Sequence, residues 1–133
     1  MKIPVKFRGK TINKNEWIYG GLNYINGAPF IMYEMMKGLP QIEEVEESSV
    51  GQYSSVFDKN NIEMCEGDII YGAAHWLERH KPAVVTFRNG SFGLLWHRGD
   101  VEEFNPFTSM CNAEYEVVGN IHDNPELMKG GAE

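Results

Sequence analysis

Short stretches of this chain alternate apolar and polar residues, and turn-forming residues separate them. Residues 16–25 and 30–34 are rich in aromatic and β-branched side chains, with Asn26-Gly27 between them. Both positions of a type I′ turn need a positive φ, which Asn and Gly adopt readily, so the pattern predicts a β-hairpin. Asn89-Gly90, between residues 83–87 and 91–96, predicts a second hairpin for the same reason.

The same alternation predicts further strands at residues 3–8, 50–57, 69–71 and 115–121. Gly67-Asp68 stands just before Ile69-Ile70-Tyr71. Because Gly supplies unusual dihedrals and Asp bonds neighbouring amides, this pair predicts the turn into that strand. Dense glutamates predict a solvated loop or helical turn over 41–49, and 104–112 is interpreted as a loop. Residues 72–82 fit either a helical turn or a long loop, and 125–128 fit a helical turn.

Many short strands joined by tight turns predict a mainly β fold with little helix. We expect a small SH3-like barrel or β-sandwich built from short antiparallel strands, preceded by an N-terminal β-hairpin. The predicted organisation is an N-terminal hairpin segment, 1–48, packed on a barrel-like β domain, 49–124, with a C-terminal tail, 125–133. The length of 133 residues fits this single main domain.

The charge of this chain is unevenly distributed. The first fifteen residues carry five cations and no acid, whereas the rest holds 7 basic against 19 acidic residues, a balance of −12. An acidic body disfavours non-specific binding to phosphate backbones. The chain has neither an apolar run of the roughly 18 residues that a membrane span needs nor a secretory signal, so we expect a cytosolic protein with no membrane partner.

Several separated motifs together resemble the YopX-like family, whose members are encoded largely in phages and prophages of bacteria. The matching segments are 6–8, 50–53, 58–60, 66–70, 115–121 and 124–127. The resemblance implies a predominantly β protein of phage origin in the bacterial cytoplasm, and it implies no catalytic residues. The positions that we assign to the fold motif are Gly51, Gln52, Tyr53, Asp58, Glu66, Gly67, Asp68, Gly119 and Asn120.

The chain departs from the family pattern at three places. Ser54-Ser55-Val56 replaces the usual Thr-Gly-Leu, Asn61 replaces a Gly, and Cys65 replaces an aromatic residue. Two of these changes remove a glycine. They therefore put the local turn geometry in question rather than the resemblance itself.

The residue types that carry catalysis or bind metals lack the spacing that those functions require. The four histidines and two cysteines form no Cys-x-x-Cys, His-x-His or His-x-x-x-His pattern, and no Walker loop or Gly-x-Ser-x-Gly is present. We therefore expect no catalytic residues, no metal and no cofactor. An enzyme built from Glu66, Asp68 and a histidine is the third-ranked alternative. Cys65 and Cys111 are interpreted as reduced thiols, with a bridge between them left open.

Two groups of residues are candidates for binding. The first is the basic N-terminal strand with Lys6, Arg8, Lys10 and Lys14; the second is a predicted exposed aromatic–basic patch at Trp96, His97 and Arg98. Our leading hypothesis is a non-enzymatic accessory protein that acts by protein–protein contact, as a homo-oligomer or with a host or phage protein. The alternative is a nucleic-acid-associated module that uses the four basic N-terminal residues as phosphate contacts.

Overall fold

The computed structural model describes residues 6–72, 82–98, 101–107 and 115–130. The chain divides into two compact units, Met1–Tyr53 (unit 1) and Ser54–Glu133 (unit 2). The predicted boundaries at residues 48 and 124 stay a prediction.

Unit 1 is an antiparallel sheet with the strand order β4-β3-β2-β1-β5. Its strands are β1 (Phe7–Lys10), β2 (Trp17–Ile25), β3 (Ala28–Met36), β4 (Leu39–Glu44) and the first residues of β5 (Gly51–Phe57). A 3₁₀ turn at Glu47–Ser49 leads into β5. β5 continues into unit 2, where it pairs with β6 (Glu63–Cys65).

Unit 2 contains a second antiparallel sheet with the order β10-β9-β8-β7-β11. Its strands are β7 (Asp68–Tyr71), β8 (Ala83–Arg88), β9 (Ser91–Arg98), β10 (Val101–Pro106) and β11 (Glu116–Asn120). A short helix, α1 (Glu126–Gly130), follows β11. Across the described strands both sheets are open and helix is scarce. The mainly β prediction is therefore confirmed, and the barrel or sandwich detail stays a prediction.

Both predicted hairpin turns are confirmed. Asn26 and Gly27 have φ of 53° and 83°, and Asn89 and Gly90 have φ of 54° and 82°. These are the positive dihedrals that a type I′ turn requires, and its twist matches that of the flanking strands. The turns fix the register of β2 with β3 and of β8 with β9.

Each unit has its own buried side chains. In unit 1, Ile31 and Val45 are 0% and 1% exposed. A β-carbon added at Gly9 would lie 2.8 Å from Val45 Cγ2, so the glycine lets this part of β1 approach Val45 closely. Among the described residues of unit 2, one cluster of buried side chains consists of Met64, Ile70, Ala83, Val85, Leu94, Trp96 and Tyr115.

Two predicted loops contain strands. Residues 41–44 belong to β4, because they pair with β3 in register, Ile42 opposite Met32. Residues 104–106 end β10, which pairs with β9 at the edge of its sheet, where Pro106 is tolerated. Ladder hydrogen bonds outweigh the low strand propensity of glutamate, asparagine and proline at these positions. Residues 73–81, within the ambiguous segment 72–82, and residues 3–5 lie outside the described residues, and β1 begins at Phe7.

Candidate binding face of unit 1

The sheet of unit 1 has one buried and one outward-facing side, and the register assigns residues to each. In β2 the exposed residues alternate from Tyr19 to Ile25. Tyr19 pairs with Arg8 of β1, and Gly21 pairs with Met32 of β3. Paired residues in an antiparallel sheet share a face. We call this side the outer face.

Three cations alternate along this face, Arg8 and Lys10 on β1 and Lys6 just before it, and they contact aromatic rings of the neighbouring strands. Lys6 Nζ lies 4.3 Å from the centre of the Tyr53 ring, and Arg8 Cζ lies 4.7 Å from the Trp17 ring. Lys10 Nζ lies 5.5 Å from the same Trp17 ring. Each distance is within the roughly 6 Å range of a cation–π interaction.

Tyr19 completes the set, with its ring 6.3 Å from that of Tyr53. We call these six residues the basic–aromatic strip: Lys6, Arg8, Lys10, Trp17, Tyr19 and Tyr53.

Local hydrogen bonds hold β1 between its neighbours. The Tyr53 amide donates to the Lys6 carbonyl, and the Lys10 amide donates to Ser49 Oγ over 2.8 Å. Gly51 of β5 stands opposite Arg8 and has no side chain to occupy the space beside it. Arg8 is only 7% exposed. Its guanidinium therefore acts in packing against Trp17, whereas half-buried Lys6 and Lys10 reach solvent.

An apolar patch occupies the other end of the outer face. Met32 and Ile42 face each other across β3 and β4 and are 44% and 48% exposed. Half-buried Phe30 and Ile25, which is 45% exposed, extend the patch toward the β2–β3 turn. We keep the name apolar patch for Ile25, Phe30, Met32 and Ile42.

The remaining candidate binding residues lie elsewhere. Lys14 is exposed in the turn between β1 and β2 and is not part of the strip. Trp96 is 6% exposed and packs in the core of unit 2, so the predicted exposure of its ring is wrong. Leu94 and Trp96, two apart on β9, both point to the buried side. The side chains of His97 and Arg98 lie outside the described part of the chain.

Asp58 stabilises the turn before β6 and also reaches β11. Its Oδ1 accepts hydrogen bonds from the amides of Asn60 and Ile62, both at 2.8 Å. Its Oδ2 accepts from the Val117 amide at 2.9 Å, and the side chain is 5% exposed. The sequence indicated the turn, but it gave no sign of the contact with a residue 59 positions away.

The other acidic fold-motif residues also have structural contacts. Asp68 Oδ2 accepts a hydrogen bond from the Cys65 amide at 2.9 Å across the turn that contains Glu66 and Gly67. Gly67 has φ of 91°, and its carbonyl accepts from the Ile121 amide. Glu66 is half-buried rather than exposed, and the Cys65 side chain is fully buried. Cys111 lies outside the described residues.

The last fold-motif residues shape the end of β11. Asn120 Oδ1 accepts from the amides of His122 and Asp123, while its own amide donates to Asn124 Oδ1. A β-carbon on Gly119 would lie 2.5 Å from Asn124 Oδ1, so any larger residue would displace the Asn124 side chain. Gln52 pairs with Phe7 of β1 within unit 1.

One titratable contact lies on the side of the sheet opposite the apolar patch. The Tyr33 hydroxyl donates a short hydrogen bond to Glu43 Oε2. This bond raises the pKa of Tyr33, and partial desolvation and the charges of Glu43 and Glu16 raise it further. The neutral phenol is therefore the form that the fold favours.

Two observations concern metal binding and membrane insertion. Within the described ranges, no group of three or more His, Cys, Asp or Glu side chains is placed to hold a metal ion. Among the same residues, no helix has both the length and the apolar character required to cross a membrane.

Sequence reasoning selected the cations of the strip and missed its rings. Trp17 and Tyr19 are two apart on a predicted strand, and this spacing was the signal that could have indicated a shared face. Their pairing with β1, and the arrival of Tyr53 from β5, depend on the strand order.

Comparison with known proteins gives a family and a fold. The family model described as YopX protein matches residues 6–129. The crystal structure of protein EF1440 from Enterococcus faecalis is similar to this chain, with a TM-score of 0.55 and 22% sequence identity. The alignment covers 96% of this chain and 99% of that chain. No curated protein gives a significant match.

Proposed function

The chain belongs to the YopX family, and on that premise we propose that it is a non-enzymatic accessory protein of a phage or prophage. It acts by protein–protein contact in the bacterial cytoplasm and associates with a second copy of itself through the apolar patch. The phage origin rests on the family resemblance.

One observation supports the assignment of the contact surface to unit 1. Of the fourteen large apolar residues that are exposed in the described part of the chain, nine lie in unit 1. Three of these nine, Ile25, Met32 and Ile42, share the outer face with half-buried Phe30. Exposed apolar side chains that cluster on one face mark interaction surfaces, whereas singly scattered ones do not. The nine are Ile12, Tyr19, Tyr24, Ile25, Met32, Met35, Met36, Leu39 and Ile42.

The face of the sheet is a better contact surface than its edge. β4 is the edge strand of the sheet, and an open edge can pair with another chain. However, Pro40 removes a backbone donor from β4, and Glu43 and Glu44 add charge at its end. Proline and charged residues on an edge strand oppose strand pairing. We therefore assign the contact to the side chains of the apolar patch.

Charge complementarity favours a second copy of the chain as the partner that binds the apolar patch. β4 runs from the turn that contains Lys37 to Glu44, so the two charges lie at opposite ends of this strand. A two-fold axis that lies in the plane of the outer face and perpendicular to β4 sets the two β4 strands antiparallel. Lys37 of one copy then approaches Glu44 of the other, and the arrangement is self-complementary, as an isologous interface requires.

The test is sedimentation velocity over a wide concentration range, with a matched pair of variants. Ile42→Asp should raise the dissociation constant by about tenfold or more, because it places a charge in the buried patch. Ile62→Asp is the control, since Ile62 is also 48% exposed but lies in unit 2. A wild-type chain that stays monomeric at all concentrations, or equal effects of the two variants, would refute the proposal.

A charge exchange tests the two-fold arrangement separately. Lys37→Glu should weaken association, and adding Glu44→Lys should restore it. If the double variant associates no better than Lys37→Glu alone, the antiparallel arrangement is wrong.

A further inference from the structure

We infer that the basic–aromatic strip binds single-stranded nucleic acid. The strip lies at β1, β5 and the beginning of β2, whereas the apolar patch lies on β3, β4 and the last residue of β2. The inference therefore goes beyond self-association and does not depend on it.

The charge distribution between the units permits this ligand. Met1–Tyr53 contains six basic and six acidic residues, whereas Ser54–Glu133 contains six basic and thirteen acidic residues. The net charge of −7 therefore belongs to unit 2. Within unit 1, residues 6–15 contain four cations and no acid. A phosphate backbone that approaches β1 meets a locally basic strand, despite the acidic total.

The lysines and the rings have different tasks in this site. Lys6 and Lys10 are four residues apart on the strip, reach solvent and make the phosphate contacts. Buried Arg8 is a positioning residue that packs against the Trp17 ring. Tyr19 is 49% exposed and offers its ring to a base.

The rings distinguish nucleic acid from an acidic protein segment as the ligand. An acidic peptide would need only the cations, and three aromatic residues on the same face would add nothing to its recognition. Every nucleobase has a π-face that stacks on an aromatic side chain, largely regardless of sequence. A row of cations at β1, flanked by rings on β2 and β5, thus fits a ligand that carries phosphates along its backbone and bases beside it. Duplex DNA keeps its bases stacked inside, so a single strand is the better fit.

The experiment is fluorescence anisotropy with the full chain and a labelled oligothymidine. An oligothymidine of about 20 nucleotides exceeds the roughly 4–16 nucleotides that one OB fold covers. We expect binding at low salt that weakens as salt increases. Two phosphate contacts predict a slope of about −1.4 in log K against log salt, since each contact to a single strand contributes about −0.7. Replacing Lys6 and Lys10 by Gln should bring the slope close to zero, whereas Lys59→Gln in unit 2 should leave it unchanged.

Tyr19→Ala tests the stacking contact against a closely matched control. It should weaken binding roughly 5- to 150-fold, the usual range for loss of one base–aromatic stack. Tyr24→Ala should have no effect, because Tyr24 is 51% exposed on the same strand but points to the opposite side.

Three outcomes overturn the inference. They are no oligothymidine binding by the folded chain at low salt, equal effects of the two tyrosine variants, or polyglutamate binding that competes with the oligomer and is insensitive to Tyr19→Ala. The last would assign the strip to an acidic protein. Ile42→Asp separates the two proposals, because it should weaken self-association by about tenfold or more and leave the affinity for oligothymidine unchanged.

Discussion

Substitution of Asp58 by Asn tests the contact between the Asp58 side chain and Val117 of β11, which lie 59 positions apart. The two side chains have nearly the same shape, but Asn keeps only one acceptor oxygen and carries no charge. If that oxygen stays with the amides of Asn60 and Ile62, the new Nδ2 faces the Val117 amide, and two donors oppose each other. The turn should then persist while the connection to β11 is lost.

The expected loss in the free energy of unfolding follows from the number and type of these hydrogen bonds. A hydrogen bond to a charged group contributes about 1.5–3 kcal/mol, and a buried donor left unsatisfied costs about 1–3 kcal/mol. Losing the Val117 bond and weakening the other two should therefore reduce the free energy of unfolding by about 2–3 kcal/mol. Asp58→Ala removes all three acceptor contacts and should cost about 3–5 kcal/mol.

Denaturant unfolding followed by circular dichroism measures the loss, and amide hydrogen exchange locates it. Exchange at Val117 should accelerate more in Asp58→Asn than exchange at Asn60. Asp123→Asn is the control, because Asp123 is exposed and should change stability by no more than about 0.5 kcal/mol. A cost for Asp58→Asn as small as that of the control would refute the reasoning, as would unchanged protection at Val117.

Three further predictions concern the backbone and pH. Gly20→Ala should destabilise by about 3 kcal/mol or more, because its β-carbon would overlap a β3 carbonyl oxygen, while Gly21→Ala, in open space, should be nearly neutral. Ser55→Gly should stabilise by about 0.5–1 kcal/mol, since Ser55 has φ of 68°. The raised pKa of Tyr33 adds stability that is complete below pH 10.0 and disappears as pH rises through the folded-state pKa; Tyr33→Phe should remove this pH dependence.

Each of these three predictions is tested by unfolding measurements on the variant and on a control variant. Chemical unfolding compares the two glycine variants, and similar losses would contradict the predicted overlap. For Ser55→Gly the reference is Asn61→Gly, since Asn tolerates its φ of 65° better than Ser does and should gain little. For Tyr33→Phe, the loss of stability above pH 10 is compared with that of Tyr24→Phe and of the wild-type chain. If both variants lose as much stability as the wild type does, the Tyr33–Glu43 hydrogen bond is not the cause.

Two of the positions at which the chain departs from the pattern of the resemblance have a left-handed backbone. The resemblance implies a glycine at each of Ser55 and Asn61, and both residues have positive φ here. Glycine adopts this conformation at a lower cost than serine or asparagine. The residue types are read from the sequence, and the dihedral angles add the backbone conformation.

The binding face shows where sequence reasoning succeeds and where it fails. Lys6, Arg8 and Lys10 could be placed on one strand because their spacing and charge are local. Their differences could not be foreseen: Arg8 is buried and its guanidinium lies over the Trp17 ring of a neighbouring strand, whereas Lys6 and Lys10 stay half-buried. Trp96 was misplaced because its surroundings depend on which side of β9 faces the core.

The amino-acid sequence by itself determined the hairpins, the strand-rich class and the family, because Asn-Gly turns and alternation are encoded within a few neighbouring residues. Only the tertiary structure decided which strands became neighbours, so that β1 lies between β2 and β5 and Asp58 reaches Val117. Register and burial are properties of residues that are distant in the chain, and no local pattern specifies which of them will meet.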